Sequence, residues 1–244
     1  MKVEFIGHGL HKDHTNTVGH YIIDSLKNDD YYSFVGFSAF TKMSGINRIK
    51  KELLEASKKF SSIKFYLGIV PKGTSREALQ FLIDNNIETW IFCTSDRIMF
   101  HPKIYFFQGK HNYRFIAGSS NLTSFGLFDN IEASTFFEFS KSNHQGKKLV
   151  RQFQEYFEPI LNGTDKNVQK LTQEVLTDLE ESGFIWPESK TNAEFEFVKS
   201  NKEAFAKRKK LKFDKESLGK IESKPSSNNY DSDYIPAITQ DYLN

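Results

Sequence analysis

The chain has one cysteine, Cys93. No intrachain disulfide can form, and no zinc site can rest on cysteines alone. A reducing, cytoplasmic setting fits that usage. No run approaches the ~18 consecutive apolar residues of a membrane span, so no membrane is expected as a partner. The opening stretch, MKVEFIGHGLHKDH, is broken by polar residues within a few positions and has no signal-peptide core. An excess of charge of one sign is missing too. The formal net charge is +2 over 244 residues, so the chain as a whole is not a polycation. Any nucleic-acid binding must therefore come from a local patch. No internal repeat is visible. What is abundant is phenylalanine, 24 residues, a residue type that more often fills a core than offers a stacking surface.

The apolar spacing divides the chain into elements. VEFI (3–6) reads as a short strand, and TVGHYIIDSLK (17–27) as a helix with Val18, Tyr21, Ile22 and Leu26 on one side. YYSFVGFSAF (31–40) reads as a buried strand. A helix over 46–59 follows, with Ile46, Ile49, Leu53 and Leu54 inward. IKFYLGIV (63–70) is a strand, and Thr74 or Ser75 can cap the helix REALQFLID. ETWIFCTS (88–95), FHPKIYFF (100–107), YRFIAGSS (113–120) and EASTFFEFS (132–140) read as four further strands, and QGKKLVRQFQEYFEPIL (145–161) as an amphipathic helix. This order predicts an α/β fold, one mixed sheet flanked by helices. Residues 1–161 are expected to form this domain. Residues 162–244 are expected to be a small, mostly helical and basic extension with a mobile tail. Within it, 167–182 reads as a helix on a polar surface, FIWP (184–187) as an isolated apolar cluster and 199–215 as strongly basic.

FHPKIYFF poses a chemical question. It is almost wholly apolar, yet carries His101 and Lys103 one residue apart. In a strand, side chains at i and i+2 share a face roughly 6–7 Å apart. A solvated strand face is the plain alternative to a site. A hairpin through QGKHN (108–112) would carry GSSN (118–121) back beside the start of this stretch. Gly118 and Ser119 are small enough to let backbone amides and hydroxyls approach a ligand. Lys103 supplies a cation and Asn121 two amide donors. His101 can act as nucleophile or proton carrier near neutral pH. Glu132 can orient the imidazole, while Ser120 is expected to point away. Together these groups suit a phosphate and call for no metal or other cofactor.

The stretch HPKIYFF…IAGSSNLTSFGLFDNIEAS resembles the phospholipase D superfamily. More narrowly, it resembles the superfamily's bacterial nuclease branch, which includes metal-independent restriction endonucleases. The likeness covers roughly residues 1–160 and extends to the SAF-T-x-x-SG loop and LGIVPKGTS. The family motif is H-x-K, an Asp five residues after the Lys, and then G-S-x-N. His101, Lys103, Ser119 and Asn121 match it. Gln108 stands at the Asp position, a departure that the nuclease branch shares, and Glu132 sits where that branch places a glutamate near the histidine. Family sites use two H-x-K motifs facing each other, and this chain has one. The resemblance therefore implies a homodimer with one site shared by two subunits, and a phosphohistidine intermediate formed without metal.

Other signals carry less. Residues 11–13 spell HKD, but the chemistry needs H-x-K, and no catalytic role follows. His8, His11 and His14, with only Asp13 nearby, make a poor zinc set; a rim position near the substrate entrance is expected instead. Thr41 and Ser44, in a loop at a strand's end, are candidate substrate contacts, against the reading of an ordinary turn. Lys207 and Arg208, in KRKK (207–210), are candidate contacts to nucleic-acid phosphates. The expected function is a metal-independent phosphodiesterase acting on nucleic acid, DNA before RNA, plausible in restriction or anti-phage defence. The alternatives are a phospholipid hydrolase or transferase of the same superfamily, or a non-catalytic nucleic-acid-binding dimerisation module. The C-terminal extension is a candidate dock for a protein partner.

Overall fold

The computed structural model describes residues 1–10, 16–71, 73–94 and 98–189. In chain order its strands are β1 (Lys2–His8), β2 (Tyr31–Ser38), β3 (Ser62–Gly68), β4 (Glu88–Phe92), β5 (Ile104–Gly109), β6 (Asn112–Gly118), β7 (Glu132–Ser140) and β8 (Val168–Lys170). They form one mixed sheet in the order β1-β7-β6-β5-β2-β3-β4-β8. β2, β3 and β4 run parallel, and every other neighbouring pair is antiparallel. The helices are α1 (Val18–Lys27), α2 (Met43–Lys59), α3 (Arg76–Asp84), α4 (His144–Tyr156), α5 (Glu158–Leu161) and α6 (Gln173–Glu181). A single π-helical turn spans Phe125–Asp129.

Alternation along the strands sends phenylalanines to both faces. Phe34, Phe65, Phe107 and Phe136 join Ile22, Ile46, Ile49, Leu53 and Leu79 in one core. Phe37, Phe106, Phe115 and Phe139 meet Val150 and Phe153 of α4 in the other. Phe34 and Phe107 are register partners across β2 and β5, and their rings stack 4.3 Å apart. The α2 helix starts at Met43, three residues before the expected 46. Lys42 makes no side-chain cap there. Instead, the Glu188 carboxylate accepts from the amides of Met43 (3.1 Å) and Ser44 (3.3 Å). This satisfies two of the orphan donors that every helix start leaves.

The expected strand over 100–107 begins only at Ile104. Pro102 has no N–H to give a ladder, so HPK forms an extended lead-in rather than a paired strand. One ladder bond survives past β5, from the Gly118 amide to the Lys103 carbonyl at 3.2 Å. The lead-in also packs tightly over β3. A Cβ on Gly68 would lie 2.8 Å from the Phe100 carbonyl and 2.9 Å from that of Ala39.

Residues 162–189 build onto the same sheet. β8 pairs with β4, and α6 buries Val175, Leu176 and Leu179. α6 thus begins later than the expected 167, and its buried stripe replaces the wholly polar surface read from the sequence. Ile185, expected in an isolated apolar cluster, is buried in the main core. The basic segment 199–215 and the tail lie outside the described residues.

The β5–β6 hairpin carries the candidate groups at its open end, and its closed end is pinned by Asp30. That carboxylate accepts from the His111 amide (3.0 Å), His111 Nδ1 (2.7 Å) and the Asn112 amide (3.1 Å). Burial opposes its ionisation, but these donors prevail and hold its pKa below the usual value. Asp30→Ala is expected to lower stability by about 1–3 kcal/mol, read from urea unfolding near pH 7. A carboxylate with a lowered folded-state pKa stabilises above its unfolded value of roughly 3.9, and that contribution is lost as pH falls through the folded value. The difference between wild type and variant should therefore shrink below about pH 4.

Candidate active site

The C-terminal ends of β2, β3 and β4, the starts of β5 and β7 and the end of β6 all lie at one edge of the sheet. In open α/β sheets, ligands gather at such an edge. The strand alternation runs back through the lead-in. Phe100 joins the α4-side core, while Lys103 shares the parity of Tyr105 and Phe107. His101 is exposed, whereas Lys103 is only 7% exposed.

Lys103 Nζ lies 2.7 Å from Nδ1 and 2.9 Å from Nε2 of His101, and it donates to the His101 carbonyl at 3.0 Å. Burial, and then the Lys103 charge, lower the His101 pKa, so its ring is held neutral at neutral pH. Burial also lowers the Lys103 pKa, and the Glu132 carboxylate works against it. The pair therefore presents a neutral ring nitrogen beside a partly desolvated cation. A nitrogen nucleophile needs that state.

Asn121 is tied to the end of β2, where its Oδ1 accepts from the Phe40 amide at 3.1 Å. Its amide nitrogen remains to donate. The Phe40 ring stands edge-on to His101, with centroids 5.9 Å apart. Ser119 Oγ donates to Glu132 Oε2 and accepts from the Ala133 amide at 3.0 Å. Asn130 Nδ2 donates to Glu132 Oε1 at 3.2 Å. Glu132 is thus held by Ser119 and Asn130, and among the described residues it makes no hydrogen bond to His101. Its visible effect falls on Lys103, not on the imidazole orientation expected of it.

The other described residues singled out from the sequence divide between the interior and the surface. The space beside Gly118 is filled by Ala133 and Ser134 of β7, so that glycine serves strand packing, not the approach of a ligand. Ser120 is buried, and its carbonyl accepts from Tyr105 at 2.9 Å. Thr41 is fully buried, with its amide on Thr74 Oγ1 (3.2 Å) and its carbonyl on the Ser75 amide (2.9 Å). It braces the loop and presents nothing to a substrate. Ser44 is exposed in the first turn of α2. His8, expected at the rim, is buried and sits directly across from Glu132 in the β1–β7 register. Lys207, Arg208, His11, Asp13 and His14 lie outside the described residues. Gln108 donates to the Tyr32 hydroxyl at 2.7 Å. It lies roughly 16 Å along the strand from Lys103, so the missing aspartate lies away from the edge that carries His101 and Lys103.

Phe40 and Asn130 were not singled out from sequence. Neither carries a reactive group, and each acts only by fixing another residue. Their only trace in the sequence is proximity, Phe40 in the SAF loop and Asn130 two residues before Glu132.

No protein-family model and no curated relative matches the sequence. Solved structures do resemble it. Phosphatidylserine synthase from Haemophilus influenzae aligns with a TM-score of 0.51 at 10% identity, over 84% of this chain and 47% of that one. The chain therefore spans about half of that enzyme. The phospholipase D family member Nuc from Salmonella typhimurium aligns at 0.48 and 15% identity, over 70% of this chain and 99% of that one. NucT from Helicobacter pylori aligns at 0.44 and 12%, over 64% and 96%. At these identities the likeness is one of fold, and over 84% of this chain that fold is the one of the Haemophilus influenzae enzyme.

Proposed function

We propose that the protein is a phosphodiesterase that cleaves nucleic acid, DNA before RNA, through a phosphohistidine intermediate in a site shared by two copies of the chain. The observation that carries this is the pairing of an exposed, neutral-held His101 with the buried cation Lys103, beside the fixed amide of Asn121. Nucleophile, cation and neutral donor converge at one sheet edge, as a phosphate requires. His101 of one copy attacks phosphorus, and the bond to the leaving oxygen breaks. His101 of the second copy, protonated once the phosphate anion lies against it, gives that oxygen its proton and is left neutral. The second histidine then takes a proton from water, whose oxygen attacks phosphorus and breaks the P–N bond. Lys103 and Asn121 hold the nonbridging oxygens throughout.

Two exposed apolar residues support a face for the second copy. Phe125 and Ile131, in the chain segment between Asn121 and Glu132, are 67% and 61% exposed. Large apolar side chains exposed next to a site favour a protein partner. Action in restriction or anti-phage defence is the biological setting in keeping with such a nuclease, and a protein partner on the C-terminal extension would be one means of targeting it. Among the described residues no helix is long and apolar enough to cross a membrane.

The test is cleavage in excess EDTA over a panel of single-stranded DNA, duplex DNA, RNA and phospholipid vesicles, with sedimentation of the same sample. Chelator-resistant cutting of nucleic acid by a dimer is expected. Turnover of phospholipid alone would replace this reading with that of a lipid enzyme. Complete loss of activity in EDTA, or a strictly monomeric active enzyme, would remove the shared side-chain mechanism.

A further inference from the structure

On the α4–α5 side of the sheet edge, a cavity of about 460 Å³ opens beside His101, which forms part of its wall. Its size is that of a small-ligand site. The other walls include Phe92, Phe100, Tyr156 and Phe157, and one carboxylate, Asp165. The Phe92 and Phe100 rings stack on each other with centroids 5.4 Å apart. Tyr156 is 78% exposed, and it stands edge-on to Phe157 at 4.8 Å. Neither α1 nor the segment between Asn121 and Glu132, which carries the apolar residues assigned to the second copy, lines this cavity.

We propose that this cavity takes the base of a nucleotide flanking the scissile phosphate, and that the enzyme therefore acts on single-stranded or locally unpaired nucleic acid. The inference rests on the nuclease reading above and adds to it the form of the substrate. A phosphate held at Lys103 and His101 leaves its neighbouring base one sugar away, at the mouth of the cavity. Aromatic walls accept any base face, and each stacked base contributes about 10- to 100-fold in affinity. A base stacked and paired inside a duplex cannot enter without being extruded.

Asp165 decides between a base and a lipid chain. One of its carboxylate oxygens, Oδ1, already accepts from the Asn167 amide (2.8 Å) and Asn167 Nδ2 (3.1 Å). The other remains to accept. An acyl chain has nothing to donate to it, whereas guanine offers N1–H and N2–H, two adjacent donors that can share the one free oxygen where adenine and cytosine offer a single amino group. The negative charge also keeps phosphate out of the cavity and on Lys103. Guanine is therefore the preferred occupant.

The experiment measures kcat/KM on a short DNA single strand with guanine next to the cut, on its duplex, and on strands abasic at each flanking position. Wild type, Tyr156→Ala, Tyr156→Trp and Asp165→Asn are compared. The single strand should be cut at least about 10-fold faster than the duplex. One abasic position should cost about 10- to 100-fold, and Tyr156→Ala on the intact strand a similar factor. The two losses should not multiply when combined. Tyr156→Trp, which keeps a stacking face, should retain cleavage, and Asp165→Asn should weaken the preference for guanine. Equal cutting of duplex and single strand, or losses that multiply, would overturn the inference. So would a loss of the dimer in Tyr156→Ala, which would make this face an interface, or a matching loss on phospholipid vesicles, which would make the cavity an acyl site. Binding of the same strands by fluorescence anisotropy reads the cavity without turnover. Base-dependent binding without cleavage would defeat the catalytic reading alone, while cleavage without base dependence would defeat only this one.

Discussion

His101→Ala should cut no nucleic acid at a measurable rate, a fall of at least ~10⁴-fold, comparable with removing other covalent nucleophiles. The side chain is exposed, and its contacts are with Lys103 and the edge of Phe40. The melting temperature and the dimer should therefore survive, and loss of either would mean that the variant reports on folding. Because each chain brings one histidine and the mechanism uses two, a mixture has its own signature. Chains co-expressed at equal levels of wild type and His101→Ala should show about a quarter of wild-type activity, since only pure wild-type pairs hold both roles. Independent sites would give half. A value of half would retain His101 as a catalytic group and remove the shared site. The pH profile adds a second check. Burial and the neighbouring Lys103 lower the pKa of His101, so the nucleophile stays neutral to more acidic pH than an ordinary imidazole does. The acid limb of kcat/KM should accordingly fall below ~6.5.

Much of this arrangement is legible from the chain because the strands are dense apolar runs, with phenylalanine sent to both faces of β2, β5 and β7. In β7 the expected bounds, 132–140, are the observed ones. Where the pattern thins, the reading fails for physical reasons. β8, VQK, has no alternation of its own and exists because the edge of β4 offers hydrogen-bonding groups. α6 hides its apolar stripe in only three residues, too few to separate a packed helix from a solvated one. Pro102 was visible, yet its effect on HPK depends on which neighbours the lead-in would have paired with. The site divides in the same way. His101, Lys103, Ser119 and Asn121 follow from residue chemistry and order. That Thr41 is sealed inside depends on loops 80 or so residues apart meeting, as Thr41 bridges to Leu122 and Phe40 meets Asn121, and the grip of Ser119 on Glu132 depends on the pairing of β6 with β7. Spacing along one sequence does not encode those encounters.

Lys103→Met should separate charge from shape at the same site. The ammonium is nearly sealed from water at 7% exposure, and the unbranched methionine side chain can fill its place. Glu132 keeps its bonds from Ser119 and Asn130 after the change, so no carboxylate is stranded. Stability should consequently move by less than about 1.5 kcal/mol, as for other substitutions that conserve volume. Cleavage should fall about 10²- to 10³-fold for the lost stabilisation of charge on the nonbridging oxygens, and further where both copies in a shared site carry the change. The loss should lie mainly in kcat, because the charge being stabilised grows in the transition state. The residual activity carries the decisive measurement. Lys103 is one of the two causes that keep the His101 pKa low, the other being burial. Without the ammonium, the acid limb of the pH profile should move up toward the ordinary imidazole value while burial still holds it somewhat below. A loss of rate with an unmoved acid limb would mean that Lys103 binds phosphate without tuning the histidine. A moved limb with an unchanged rate would mean the reverse, and either result would divide a pair that the geometry places in direct contact.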